Sequence, residues 1–265
     1  MRRILTALGA VPLLLLLILK GSAPLFLLVV LVTAVIGFWE LSAMMGELGH
    51  RPFSVGYPFV AAVVATFYPG APDFTSVAIL LMVVVGLSAL LFRSPAREGF
   101  ASAAATVFGT VYVGLLIGSL VGIRAVEPEP LGRRWIIFLL AVVMIGDAGA
   151  YYVGTAFGRH RLAPVLSPKK SVEGLVGDIT FSVATASVLR VYLFPSLSPL
   201  TAAGLGLVLS GVGVVGDLFE SFLKRSAGVK DASSLIPGHG GILDRLDSLL
   251  FASPMLLLYL RWVAT

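Results

Sequence analysis

Asp217, Ser221 and Lys224 are spaced i, i+4 and i+7. On a helix a carboxylate, a hydroxyl and an ammonium therefore share one stripe, with Glu220 beside it and Arg225 next in line. Downstream runs Lys230-Asp231-Ala-Ser-Ser-Leu-Ile-Pro-Gly-His239-Gly240-Gly241-Ile-Leu-Asp244-Arg245-Leu-Asp247-Ser248. Its glycines let the backbone come close to a ligand and adopt positive φ. Asp244, Asp247 and Ser248 share a face at the start of the last helix. Carboxylates with no cysteine and one histidine suit a hard cation, Mg²⁺ rather than Zn²⁺. Lys224, Arg225, Lys230 and Arg245 suit phosphate. The chemistry this points to is the handling of a metal-bound phosphate.

A second basic run, Ser167-Pro-Lys169-Lys170-Ser171-Val-Glu173-Gly174, alone fits a contact with anionic lipid; beside the first it becomes a second arm over the same polyanion. Asp147, in Gly146-Asp-Ala-Gly-Ala-Tyr151, sits inside an apolar run, where an ionisable group costs about 2.5–3.5 kcal/mol on insertion scales. It is a functional candidate for that reason. Asp178 stands at the entrance of another apolar run and reads either way. Glu40, after Trp39, reads as structural. His50 and His160 read as interfacial, and Arg190 as a snorkelling side chain.

The elements that position these residues follow from composition. Of 265 residues 58% are hydrophobic and 12% charged, and the mean hydropathy is +1.00. A soluble domain carries roughly 25% charged residues, so neither a soluble globule nor a disordered chain fits. With no cysteine, disulfides, thiolate metal sites and cysteine nucleophiles are excluded. The net charge of +5 fits the basic loops of a membrane protein better than nucleic-acid binding.

The expected fold is all-α: a polytopic integral membrane protein of about nine transmembrane helices. Runs long enough to span lie near Ile4–Leu19, Leu25–Met45, Phe53–Tyr68, Phe74–Phe92, Ala101–Ile123, Trp135–Phe157, Leu175–Phe194, Pro199–Leu223 and Leu246–Val263. With the N-terminus inside, thirteen Lys and Arg fall on inner segments and five on outer ones, with Arg190 within a span. This bias places both motif loops, about Gly158 to Gly174 and Lys224 to Arg245, in the cytoplasm. Residues 1–134 read as a scaffold of membrane helices and 135–265 as the part carrying the motifs, together one integrated membrane unit. No soluble catalytic domain is visible, so the chemistry is expected at the membrane surface.

The run Ser221-x-x-Lys224-Arg225-x(4)-Lys230-Asp231-x(4)-Ile236-Pro237-x-His239-Gly240-Gly241-x-x-Asp244-Arg245-x-Asp247 closely resembles the signature of the phosphatidate cytidylyltransferases, or CDP-diacylglycerol synthases. Asp147-x-x-Ala150-Tyr151-x-x-Gly154 and Ser167-Pro-Lys-Lys-Ser-x-Glu173-Gly174 resemble the same family. Ser171 stands where threonine is usual, and Asp178 where a second glycine is usual. The resemblance covers the C-terminal half.

The resemblance implies an integral membrane enzyme that condenses CTP with phosphatidic acid, giving CDP-diacylglycerol and pyrophosphate with Mg²⁺. Asp217 and Asp244 are then expected as metal ligands, with Asp231 and Asp247 as further ligands, around one metal or two cations. Ser221, Lys224, Arg225, Lys230, Asp231, His239 and Arg245 form the expected catalytic group. Asp147, Tyr151, Ser167, Lys169, Lys170, Ser171, Glu173, Gly240 and Gly241 are expected to bind substrate. The partners implied are CTP, phosphatidic acid and the bilayer, with no nucleic acid and a homodimer left open. In a bacterium the site would face the cytoplasm from the inner membrane. A CTP-dependent polyprenol-type kinase is the alternative enzyme, and a secondary transporter the alternative class. Polar residues gathered on one side speak against a path across the membrane. With no GxxxxGK[ST] run, a P-loop enzyme is unsupported.

Overall fold

The computed structural model describes residues 12–70, 84, 88, 96–236, 238 and 240–263. It is mostly helical. Residues 12–20 are helical. The named helices are α1 (Ala23–Glu47), α2 (Gly56–Ala65), α3 (Ala96–Gly109), α4 (Leu116–Arg124), α5 (Leu131–Phe157), α6 (Val172–Leu193), α7 (Pro199–Ser226) and α8 (Leu243–Trp262), with a π-helical turn at Thr110–Leu115 joining α3 to α4. Two short antiparallel strands, β1 (Arg161–Ala163) and β2 (Ser167–Ser171), pair Arg161 with Ser171 and Ala163 with Ser167.

Among the described residues five helical segments are long and apolar enough to cross a membrane: Ala23–Glu47, Gly99–Arg124, Leu131–Phe157, Val172–Leu193 and Pro199–Ser226. Each coincides with an expected span, and the expectation of nine is corrected to these. The run Phe53–Tyr68 forms a helix of only 10 residues, Gly56–Ala65, about 15 Å at the helical rise and half of a hydrocarbon core. The last run becomes α8, whose first turns carry Asp244, Arg245 and Asp247, too many charges for a span judged by composition. Half of the run Ile4–Leu19 and nearly all of Phe74–Phe92 lie outside the described residues. The first motif loop is not irregular either: the hairpin β1–β2 occupies it. Strands of 3 and 5 residues carry too little periodicity to be read from sequence.

The chain packs as two compact units: Met1–Ala125 with Leu223–Arg245, and Val126–Phe222 with Leu246–Thr265. In the first, Phe38, Leu41, Val64, Val113, Ile117 and Leu243 are buried together as its apolar core. Ser22 starts α1, its hydroxyl accepting from the Leu25 amide at 3.4 Å. In the second, Trp135 stacks on Phe194 with centroids 3.9 Å apart, and Phe138, Leu139, Val142 and Leu209 are buried.

Helices α5 and α6 meet along a seam of glycines. A Cβ on Gly146 would sit 2.2 Å from the Ser182 hydroxyl, and one on Gly177 would sit 2.9 Å from the Gly149 carbonyl. In a membrane, where lipid removes most of the hydrophobic drive, such close backbone packing holds helices together. Apolar side chains such as Leu28, Val188 and Leu207 stand at least half exposed, a surface that suits lipid.

Candidate active site

The two units each carry one lysine–carboxylate pair from the motifs. In the first, α7 ends at Ser226, and Gly228, at φ 71°, turns the chain out of it. The following segment returns to start α8, and Asp244 ties it down. Its Oδ1 accepts from Lys224 Nζ at 2.6 Å. Its Oδ2 accepts from the amides of Ala232 and Gly241, both at 2.8 Å. Burial of Asp244 opposes its charge, but the Lys224 hydrogen bond and the two amides outweigh burial and hold the carboxyl below the ordinary carboxylate range. Gly240, at φ 78°, allows this turn, and a Cβ there would meet Asp244 Oδ2 at 2.6 Å.

The same segment is held by a second carboxylate. Glu40 of α1 is fully buried. It accepts from the Ser233 hydroxyl at 2.6 Å and from the amides of Ile242 and Leu243 at 2.9 and 2.8 Å. Around these two anchors Arg225, Lys230, Asp231 and Arg245 are exposed. His239 lies outside the described residues.

In the second unit the hairpin does the positioning. Along β2, Lys169 is exposed while Lys170 is half-buried. Lys170 forms an ion pair with Asp217 of α7. Ser171 then caps α6, its hydroxyl accepting from the Gly174 amide at 3.1 Å; replacing threonine by serine keeps this cap. Glu173 accepts from the backbone amides of Arg159 and His160 at 3.0 and 3.2 Å, and its other oxygen lies 2.6 Å from His160 Nδ1. It therefore closes the hairpin's base. Ser167 is the β2 partner of Ala163. Ser221 is half-buried, and Tyr151 stands exposed on α5.

Deeper in the second unit, Asp147, Asp178, Ser210 and Ser248 line one narrow cleft. Asp178 accepts from Ser210 at 2.6 Å and from Ser182 at 3.4 Å. Ser248 reaches Asp147 at 3.5 Å. The charges of Asp178, Asp247, Asp217 and Lys170 all reach Asp147. Asp247 is half-buried and accepts from the Ser248 amide at 2.8 Å.

The structure thus brings Lys170 to Asp217 and Lys224 to Asp244. It uses Ser171 and Glu173 to hold the hairpin and leaves Lys169, Lys230, Asp231 and Arg245 at the surface. Among the described residues no three His, Cys, Asp or Glu side chains converge on one metal position. Sequence reasoning missed the work of Ser233, Ser182 and Ser210, and gave Glu40 no particular task. An acidic residue inside an apolar run was the available signal for Glu40.

The cytidylyltransferase family model matches residues 1–263. Over 160 residues the chain is 39% identical to proteins named phosphatidate cytidylyltransferase from Staphylococcus epidermidis and Staphylococcus saprophyticus. It is 38% identical over the same length to the one from Staphylococcus aureus. The matched segment is 60% of this chain and spans about 60% of each relative's length. With the family model matched over nearly its whole length, the chain belongs to the cytidylyltransferase family.

Proposed function

We propose that the protein transfers the cytidylyl group of CTP to phosphatidic acid, giving CDP-diacylglycerol and pyrophosphate at the membrane surface. The observation that carries this reading is the pairing of motif lysines with motif carboxylates, Lys224 with Asp244 and Lys170 with Asp217. A metal-bound polyphosphate brings both signs of charge and can take both partners of such pairs. The family membership and the names of the relatives supply the nucleotide and the lipid.

A phosphate oxygen of phosphatidic acid attacks the α-phosphorus of CTP in line. The bond from that phosphorus to the oxygen bridging to the β-phosphate breaks, and pyrophosphate leaves. The nucleophile is already anionic, so positioning and charge neutralisation dominate. Lys224, Arg225, Lys230 and Arg245 neutralise phosphates, as do Lys169 and Lys170 of the hairpin. Ser221 and the backbone at Gly240 orient the chain of phosphates. Asp147 stands deeper, towards the lipid headgroup. The acyl chains stay in the bilayer.

Asp217, in the second unit, and Asp244, in the first, are candidate Mg²⁺ ligands, with Asp247 and Asp231 as further carboxylates of the same two units. The donor set fits: it is all oxygen, and Mg²⁺ commonly takes one or two carboxylates, completing its shell with waters and substrate phosphates. When bound, the ion supplies positive charge to phosphoryl oxygens. Both motif segments face the cytoplasm in this reading, as the basic-residue bias predicts.

The test is pyrophosphate release from CTP by the purified protein in lipid nanodiscs. Release that requires both Mg²⁺ and phosphatidic acid is expected. Release indifferent to phosphatidic acid would overturn the assignment.

A further inference from the structure

We propose that Glu40 is a positioning residue for the transfer reaction, holding residues 233–236 and 240–243 fixed as a strap that sets the Lys224–Asp244 pair for the polyphosphate; the proposal rests on the cytidylyl-transfer reading. Glu40 is fully buried on α1, and its carboxylate has its own donors. Oε1 accepts from the Ser233 hydroxyl at 2.6 Å and the Ile242 amide at 2.9 Å, and Oε2 from the Leu243 amide at 2.8 Å. One side chain therefore grips the start of the strap and its end at once.

Two of those donors are amides at the beginning of α8, where amides lack helical partners and the helix dipole favours negative charge. A cap is usually local, but Glu40 supplies it from 203 residues away. The fit is tight: a Cβ on Gly241 would lie 2.4 Å from Glu40 Oε1, and one on Gly37, a turn earlier on α1, 3.2 Å from Leu243. The neighbouring residue in α8 is Asp244, which closes the strap from its other side through Ala232 and Gly241 and holds Lys224. Between the anchors, Ile236 and Gly240 form an isolated antiparallel bridge. The hydrogen bonds of Glu40 go to Ser233, Ile242 and Leu243, so it acts through the strap. Displacement of a reacting group by about 1 Å can cost ~100-fold in rate.

The experiment compares full-length Glu40→Gln, Glu40→Asp, Ser233→Ala and Glu47→Gln with the wild type in nanodiscs, reading kcat, KM for CTP and amide exchange of residues 241–243. Glu47 is an exposed residue at the end of the same helix. Glu40→Gln is expected to lower kcat about 10–100-fold per folded molecule with KM within about threefold, and to speed exchange at 241–243. Glu40→Asp, which keeps the charge, should recover part of kcat, and Glu47→Gln should match the wild type. Wild-type kcat per folded Glu40→Gln molecule, or unchanged exchange at 241–243, would overturn the proposal. If Glu40→Gln does not fold, Ser233→Ala decides: a kcat about 3–10-fold lower at unchanged KM supports positioning, and a wild-type kcat overturns it. A wild-type protein that transfers no cytidylyl group would overturn the reading of the reaction, whereas the clamp itself is decided by the exchange measurement.

Discussion

Lys224 Nζ lies 2.6 Å from Asp244 Oδ1, across 20 residues of chain, with side chains only 12% and 5% exposed. The pair joins the end of one helix to the start of the next, and the amides of Ala232 and Gly241 complete the carboxylate's acceptor positions. Removing one member of a buried pair costs about 3–5 kcal/mol. Asp244→Asn should therefore lower stability at neutral pH by that order, read as a fall in thermal unfolding temperature in detergent.

The same pair fixes a pH dependence. The Asp244 carboxyl is held below the ordinary carboxylate range. Its charged form therefore stabilises the fold fully above the unfolded value of about 3.9, and that contribution disappears as pH falls through the lower folded value. The gap in unfolding temperature between wild type and Asp244→Asn should shrink steadily on acidification below about pH 4. A gap that stays constant down to pH 2 would contradict this account.

Lys170 and Asp217 are both about a quarter exposed, so their pairing contributes less to stability and more to the site. Asp217→Asn should fall mainly on kcat, and Lys170→Ala should raise KM for CTP or phosphatidic acid more than it lowers kcat. Combined, the two should be non-additive by about 0.5–3 kcal/mol. A kinetic cycle over a range of Mg²⁺ concentrations measures this. Full activity of Asp217→Asn at ordinary Mg²⁺ would remove Asp217 from the proposed ligands.

The glycine seam gives a packing test. A Cβ at Gly146 would strike Ser182 Oγ at 2.2 Å and Asp178 Oδ1 at 2.8 Å, whereas one at Gly211 meets nothing within 4 Å. Gly146→Ala should destabilise by about 1–3 kcal/mol through overpacking. Gly211→Ala should be neutral or stabilise by up to about 1 kcal/mol through helix propensity. Thermal unfolding of the two variants side by side checks it; equal effects would mean that α5 and α6 do not pack as described.

Orientation has its own readout. The chain has no native cysteine, so Ser167→Cys and Ser234→Cys each introduce a single thiol. Both should react with an impermeant maleimide only from the cytoplasmic side. Labelling of either from outside would overturn the placement of the motifs.

What the sequence made legible follows from how far apart the interacting residues are. The five long helices were readable because each is one continuous apolar run between breakers. The short helix Gly56–Ala65 was not, because Phe53–Tyr68 has the composition of a span without a span's helical length. The motif residues were readable as charge on one helical stripe, but not their pairing. Nothing local says that Lys224 closes on Asp244 or that Lys170, rather than Lys169, turns to Asp217. Glu40 lies furthest beyond sequence reasoning: its partners Ser233, Ile242 and Leu243 are 193 to 203 residues away, and only the fold brings them to it.

The central claim is tested most directly by following label from CTP into lipid. The wild-type protein in nanodiscs containing phosphatidic acid is given CTP labelled on either the α- or the γ-phosphate, and lipid and aqueous products are separated. Cytidylyl transfer predicts α-label in the lipid and γ-label in released pyrophosphate. The γ-label in the lipid with free CDP in solution would contradict it and make the protein a lipid kinase.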